Sequence, residues 1–394
     1  MAMDFDQQIM RENTGSLKFD GRNQVFGTKD VLPLWVADMD FAVPQAVAEA
    51  LQARAQHPIF GYSLYPESLY QSLINWFDRR YNWSIERDWI MMAPGVVPSL
   101  HAASMAFAEQ GEGIIVQPPV YFPFFSAVNR TQRQLLLNPL KENVGRYSID
   151  FELLDAQAAE ARMLIFCSPH NPVGRVWSRE ELEELLRVAM RHNLLILSDD
   201  IHADLTYPGV HHQLLANMDG EFQDFVHSNV ITAVAPSKTF NIPGLGLSSL
   251  IVPNPEHRKR LQQVFDQLQL SNHNPFSIVA FEAAYNSGDQ WLDDLRQYLA
   301  ENRALLKSAI EHLSPLRWIE PEGTYLLWLD CRNLGLDDVR LNQFFIHQCG
   351  LGLSPGKLFG EQGSGFMRLN LGTTRSRLQT AMEQLQSGIS QFNR

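Results

Sequence analysis

Cysteine is scarce, with three in 394 residues, at positions 167, 331 and 349. The number is odd and the spacing wide, which excludes a disulfide framework and offers no metal-ligand pattern. Excess positive charge is missing as well. Acidic residues outnumber basic ones to leave −12 at pH 7. Nucleic acid and anionic membrane surfaces are therefore not expected partners, since both are polyanions. No apolar run approaches the ~18 residues that a bilayer span requires. The opening MAMDFDQQIMREN has no basic stretch leading into an apolar core. No secretion signal is expected from it, and the cytoplasm is the expected compartment. Internal repeats and low-complexity linkers are absent too. What is present is an ordinary globular composition, 45% apolar and 19% charged, in a chain long enough for two or three domains and a full core.

Residues 1–43 read as irregular. Pro44 then opens a helix, a second runs from near Pro66 to about Tyr81, and a third follows Gly95-Val96-Val97-Pro98 and ends near Gly111. Short apolar runs at Ile114–Val116, Met163–Cys167, Leu194–Leu197, Val230–Ala235 and Leu247–Val252 read as buried strands. Ser178 and Glu181 form a capping-box pattern ahead of a helix that carries Leu182, Leu185, Leu186 and Ala189 on one face. Apolar strands alternating with helices predict a largely parallel sheet covered on both faces. A long helix is expected over Trp291–Leu313. Strands at Thr324–Leu329 and Phe366–Leu371, with helices near 338–348 and 374–390, suggest a smaller α+β domain.

In an open parallel sheet, ligands gather at the carboxyl ends of strands. Three successive ends here deliver an amide, a carboxylate and an amine: Asn171 after Met163–Cys167, Asp199 after Leu194–Leu197, and Lys238 after Val230–Ala235. Each has a plainer reading alone. Asn171 could be a turn residue before proline, Asp199 a helix cap, and Lys238 a solvated loop residue.

Together, Asn171-Pro172-x-Gly174, Ser198-Asp199-x-x-His202 and Ser237-Lys238-Thr239-Phe240-Asn241 resemble the fold-type-I pyridoxal-phosphate (PLP) enzymes. Trp35-Val36-Ala37-Asp38-Met39-Asp40-Phe41, Phe60-Gly61-Tyr62 and Pro119-Val120-Tyr121-x-Pro123-Phe124 resemble the bacterial cystathionine β-lyase (C–S lyase) branch, close to class I/II aminotransferases. The resemblance spans nearly the whole chain. It implies an α/β PLP-transferase type I fold, with a large domain over 44–288 and a small one from 1–43 and 289–394.

The resemblance also implies roles. Lys238 would attach to the PLP aldehyde and later move the Cα proton. Asp199 would face the pyridinium nitrogen, Asn171 and His202 the phenolic oxygen, and Tyr121 would stack on the ring. A structural hydrogen bond for His202 and plain core packing for Tyr121 remain open. Gly95, Val96 and Val97 at a helix N-terminus, with Ser237, would hold the phosphate. Tyr62 would reach that phosphate from the neighbouring subunit of a homodimer with shared active sites. Arg368 would take the substrate α-carboxylate through its fork-shaped guanidinium, the alternative being a surface strand arginine. Ala37 and Tyr62 would line the substrate side. One departure stands out. Gly246 occupies the position eight after the lysine, where aminotransferases commonly carry a phosphate-binding arginine. His211-His212 reads as a solvated loop pair, because no third metal ligand has suitable spacing. The implied function is β-elimination from cystathionine or another cysteine thioether, a small amino-acid substrate. The rivals are an aminotransferase on the same site and a regulatory, partner-binding protein on the same fold.

Overall fold

A computed structural model describes residues 3–270 and 274–392, so the two terminal residues at each end of the expected small domain lie outside the described residues. The large sheet has seven strands, in the order Ile90–Ala93, Ser248–Ile251, Val230–Val234, Leu195–Asp199, Ala161–Cys167, Gly113–Val116 and Gln134–Leu137. Ser248–Ile251 runs against both its neighbours, and the other pairs are parallel. Alternate side chains enter separate cores, as the pleat requires. Ile114, Val116, Ile165, Leu197 and Ala233 pack with Leu100, Ala103 and Phe107 of the helix Val96–Phe107. Ile115, Leu164, Ile196 and Val234 join a second core with Leu182, Leu185 and Leu186. The mostly parallel sheet covered on both faces is therefore as the apolar runs predict.

A second, antiparallel sheet has the order Arg317–Trp318, Leu326–Asp330, Phe366–Asn370 and Ser354–Pro355. Leu32–Pro33 pairs in parallel with Leu351–Gly352 and ties the N-terminal segment to this part of the chain. Among the described residues no helix is long and apolar enough to cross a membrane.

Several local expectations change. The supposedly irregular first segment contains the short helices Leu17–Asp20 and Arg22–Phe26. The second closes on Gly27 at φ 73°, a left-handed cap that glycine adopts without strain. The third helix stops at Phe107, because Ala108 turns to extended backbone. The expected helix at 338–348 is an α-helix, Asp338–Gln343, continued by a π-turn, Phe344–Gln348. Strands Ile90–Ala93 and Gln134–Leu137 and helices Pro255–Leu268 and Pro275–Ser287 escape the sequence reading. Both helices carry a legible signal, an Asn cap followed by Pro in the first turn, at Asn254-Pro255 and Asn274-Pro275.

Between the two sheets runs a strap, residues 35–41, whose backbone is held by side chains from both. From the small sheet, Asn370 Nδ2 donates to Val36 O and Asp38 O, both at 2.6 Å, and Ser354 Oγ donates to Trp35 O at 3.0 Å. From the other side, Asn241 accepts from Met39 N at 2.9 Å and donates to Met39 O and Phe41 O. Asp38 and Asp40 anchor the strap in an ion network centred on buried Asp40 and Lys18. Arg11 reaches Asp38 at 2.7 Å and Asp40 at 2.8 Å, Lys18 reaches Asp40 at 3.0 Å, and Arg377 reaches it at 3.1 Å. The Lys18 side chain is 0% exposed and that of Asp40 is 2%. Burial pushes the Asp40 carboxyl up, but the charges of Lys18 and Arg377 hold it below its ordinary 3.8.

Removing a partner from a buried pair strands the other charge, which typically costs ~3–5 kcal/mol. Asp40→Asn should approach that loss in a urea titration, because it takes the nearest carboxylate from both Lys18 and Arg377 and leaves buried Lys18 only Asp38 at 3.7 Å. Lys18→Met should cost less, since Arg11 and Arg377 still pair Asp40. The Asp40 carboxyl is lowered, so its contribution is full above pH ~4 and disappears as pH falls below that. Equal losses in the two variants, or a loss independent of acid, would contradict the network.

Candidate active site

At the carboxyl ends of the large sheet lies a cavity of about 850 Å³, including its open mouth. Ala37, Gly95, Val96, Val97, Tyr121, Asn171, Asp199, His202, Ser237 and Lys238 all line it. Ten residues singled out from the sequence thus meet in one place. Pro94, Cys167, Leu247 and Ser248 line it as well. Their types carry no signal on their own, and only the fold brings them there.

Lys238 sits on the four-residue helix Pro236–Thr239, directly after strand Val230–Val234. Its Nζ donates to Ala37 O at 2.7 Å. Tyr325, which the sequence reading passes over, donates to the same carbonyl at 3.0 Å. Burial, then the charge of Arg368, brings the lysine down from 10.5 to about 8, with Asp38 and Asp199 pulling the other way. Asp199 ends strand Leu195–Asp199. Burial pushes its carboxyl up to about 7, and Asp200 adds to the rise. The Ile201 N–H, at 3.2 Å, and Lys238 oppose it. His202 is pushed down to about 3 by burial and by the charges of Lys238 and Arg368. Its ring meets Tyr325 edge to face at 6.1 Å, and its buried Nδ1 has no partner.

Arg368 is not a surface arginine. Strand Phe366–Asn370 buries it, and it lies behind Asn171, donating to Asn171 Oδ1 at 3.1 Å and to Trp35 O at 2.9 Å. The first of these bonds turns the amide so that Asn171 Nδ2 points away from the arginine. Burial lowers Arg368 from 12.5 to about 10. Among the described residues no carboxylate pairs with it, and its Nε lacks a partner. Burial raises the Tyr121 phenol, keeping it neutral.

The helix Val96–Phe107 is capped by Gly95, and the residues of its first turn line the cavity together with Ser237 and Ser248. Gly246 also lines the cavity, in left-handed backbone at φ 54°. An arginine there would be strained, which gives the departure at this position a backbone reason. Two expectations fall elsewhere. Tyr62 is fully exposed and lines no part of this chain's cavity. His212 is not solvated: its side chain is 1% exposed and its Nε2 lies 2.7 Å from Asp200 Oδ1. The pull of a buried carboxylate outweighs the exposed sequence context that His211 shares.

These groups fit pyridoxal phosphate. They comprise a free amine of lowered basicity and a buried carboxylate lacking a full counter-charge. They also include a flat phenol, an unpartnered imidazole nitrogen, and a helix N-terminus with two hydroxyls. The unpaired guanidinium beyond them fits a carboxylate.

A family model described as aminotransferase class I and II matches residues 29–385. The chain is 38% identical to the cystathionine beta-lyase PatB of Bacillus subtilis, over 98% of this chain and 100% of that one. It is 33% identical to Protein MalY of Escherichia coli over 98% of each. Cystalysin from Treponema denticola, whose crystal structure contains a pyridoxal 5′-phosphate cofactor, superposes with a TM-score of 0.95. That match has 35% identity and covers 99% of this chain and 100% of the other.

A carboxyl moved from 3.8 to about 7 carries a penalty of roughly 4 kcal/mol at pH 8. The folded group binds the extra proton between those values, so the ligand-free chain should lose stability as pH rises through that window. Asp199→Asn keeps the acceptor for Ile201 N and removes the charge. It should therefore melt higher than the ligand-free wild type at pH 8 and similarly at pH 4. A lower melting temperature at pH 8 would show that the carboxylate is not under strain.

Proposed function

Because the chain belongs to the aminotransferase class I and II family, we propose that this cavity is the active site of a pyridoxal-phosphate-dependent carbon–sulfur lyase. The substrate is a cysteine thioether such as cystathionine, which together with one water gives a thiol, pyruvate and ammonia. Similarity to a cystathionine beta-lyase over 98% of this chain and all of that one carries the reading.

Bound in the cavity, pyridoxal phosphate supplies an aldehyde that captures amines and an electron-poor ring that accepts the pair released when Cα loses its proton. Lys238 is the attachment amine and, when free, the base at Cα. A value near 8 leaves a working fraction of the amine unprotonated at neutral pH. Asp199 holds positive charge at the ring nitrogen, Tyr121 covers the ring face, and Asn171 and His202 serve its phenolic oxygen. Ser237 and the N–H groups of the Gly95-Val96-Val97 turn hold the phosphate. Arg368 binds the α-carboxylate, and its lack of an acidic partner supports that role. Ala37 lines the substrate side and holds the freed lysine through its carbonyl. We take residues 44–288 as the cofactor-holding domain and 1–43 with 289–394 as the smaller one. The three cysteines are all unpaired, which supports a reducing, cytoplasmic location.

The reading includes a homodimer. Tyr62 is fully exposed beside Ile59, Phe60 and Leu64, which are exposed as well. A run of apolar side chains in water is the usual mark of a contact surface. Tyr62 would complete the phosphate site of the other subunit and line its substrate side.

Incubation with cystathionine should release pyruvate and ammonia with no keto acid added, and the cofactor should remain in its aldehyde form. Strict dependence on a keto acid, with the cofactor accumulating as its amine, would decide for an aminotransferase.

Lys238→Ala and Tyr62→Ala should each be nearly inactive. Mixing them under conditions of subunit exchange should restore activity toward about a quarter of wild type, since one site in a mixed dimer is intact. A fully active monomer would remove Tyr62 from the site.

A further inference from the structure

Strand alternation sends Asp199 to the cavity face of the sheet and its neighbours Ser198 and Asp200 to the opposite face. Behind the sheet these two meet His212. Ser198 Oγ donates to Asp200 Oδ2 at 2.5 Å, and His212 Nε2 lies 2.7 Å from Asp200 Oδ1. The carboxylate side chain is 0% exposed and the imidazole 1%. His212 Nδ1 has no partner, so Asp200 is the ring's polar anchor. None of these groups touches the cavity, and the chemistry above uses none of them. Burying a carboxylate this completely is strongly unfavourable unless a positive group compensates it.

The turn after the strand is built around the same residue. Asp200 N donates to Ala233 O at 3.0 Å and Asp200 O accepts from Ala203 N at 2.9 Å. That turn carries Asp199 at one end and His202 near the other, both in the cavity. Two carboxylates therefore stand back to back on adjacent residues, one facing the ligand space and one held from behind by an imidazole.

We propose that the Asp200–His212 pair is the charge control of Asp199: Asp200 sets a like charge behind the cavity carboxylate, and His212, in its protonated form, cancels part of it. The negative charge that Asp199 offers to a cationic ring nitrogen is thereby set from the far side of the sheet. Both residues are positioning residues, since they act through Asp199. The proposal rests on the reading of Asp199 as the partner of that nitrogen. The rise of the Asp199 carboxyl, to which Asp200 contributes, agrees with the geometry. The other titratable groups around Asp199 are Lys238, Tyr121, Cys167 and His202. Around His212 they are Tyr81, whose ring lies edge-on at 6.3 Å, and Arg79, Arg80, Asp204, His211 and Arg296 of the adjoining surface cavity. These neighbours are common to every variant below.

The test follows the Asp199 carboxyl carbon by ¹³C NMR against pH in the full chain, with and without pyridoxal phosphate, using Asp199→Asn for assignment. Without cofactor, Asp200→Asn should lower the Asp199 midpoint by roughly one pH unit, and His212→Asn should raise it by a similar amount. The double variant Asp200→Asn/His212→Asn removes both charges and should fall between the two single variants. His212→Gln provides a second neutral replacement should the Asn variant fold poorly. Shifts of the same sign in the two single variants, or no shift in either, would reduce the pair to a structural clasp and overturn the proposal. Added pyridoxal phosphate should lower the wild-type midpoint sharply. Failure of that one step would count against the cofactor role of Asp199, while the opposite shifts of the variants would still establish the charge control.

Discussion

Two opposite charges buried near one cavity, neither fully balanced by the chain itself, govern the rest of this structure. Asp199 closes one strand of the large sheet, and Arg368 stands in the middle of a strand of the small one. In isolation each is a liability, because burial disfavours a charge whose partner is missing. The strands that carry them are packed into large hydrophobic cores, which raise the cost of each charge and also supply the stability that offsets it. Lys238 stands between the two and is influenced by both. Arg368 depresses its basicity and Asp199 supports it. The chemistry of the lysine is thus a property of two sheets rather than of its own helix.

The strap at 35–41 makes those two sheets a single device. Its carbonyls accept from Arg368, Asn370, Ser354 and Tyr325 on one side and from Lys238 and Asn241 on the other. Neither sheet can shift without disturbing a bond to the segment that lies across the cavity. The ion pairs of half-buried Asp38 and buried Asp40 fix the strap from the outside. A short irregular stretch thereby acquires the rigidity usually reserved for regular elements.

Much of the site was legible because its residues follow apolar runs. Asn171, Asp199 and Lys238 each stand just past or at the end of a strand that the apolar pattern marks, and sheet topology brings such ends together. Arg368 was legible through alternation with Met367 and Leu369. Tyr325 was not. It sits in an apolar stretch, Tyr325-Leu326-Leu327-Trp328, where a tyrosine looks like core, and only the path of the strap shows what its hydroxyl meets. His212 misled because local sequence describes a loop's solvent preference and says nothing of the buried carboxylate, twelve residues earlier, that the chain folds back to meet. Edge strands such as Gln134–Leu137 are half-exposed and carry a weaker pattern than central ones. Helices Pro255–Leu268 and Pro275–Ser287 were marked by their Asn-Pro starts, a signal that a search for apolar periodicity does not weigh.

The register of the small sheet has a stereochemical consequence. Arg368 lies opposite Trp328 on one side and Ser354 on the other. A slip of one residue would present Met367 or Leu369 in its place. If Arg368 anchors the substrate carboxylate as proposed, an amino acid whose amine is directed to the cofactor would have only one way left to place its side chain and hydrogen around Cα. Lys238 would then meet that hydrogen from one face and not the other. The choice between mirror-image substrates would in this sense be a matter of β-sheet pairing, written into the hydrogen bonds of three short strands.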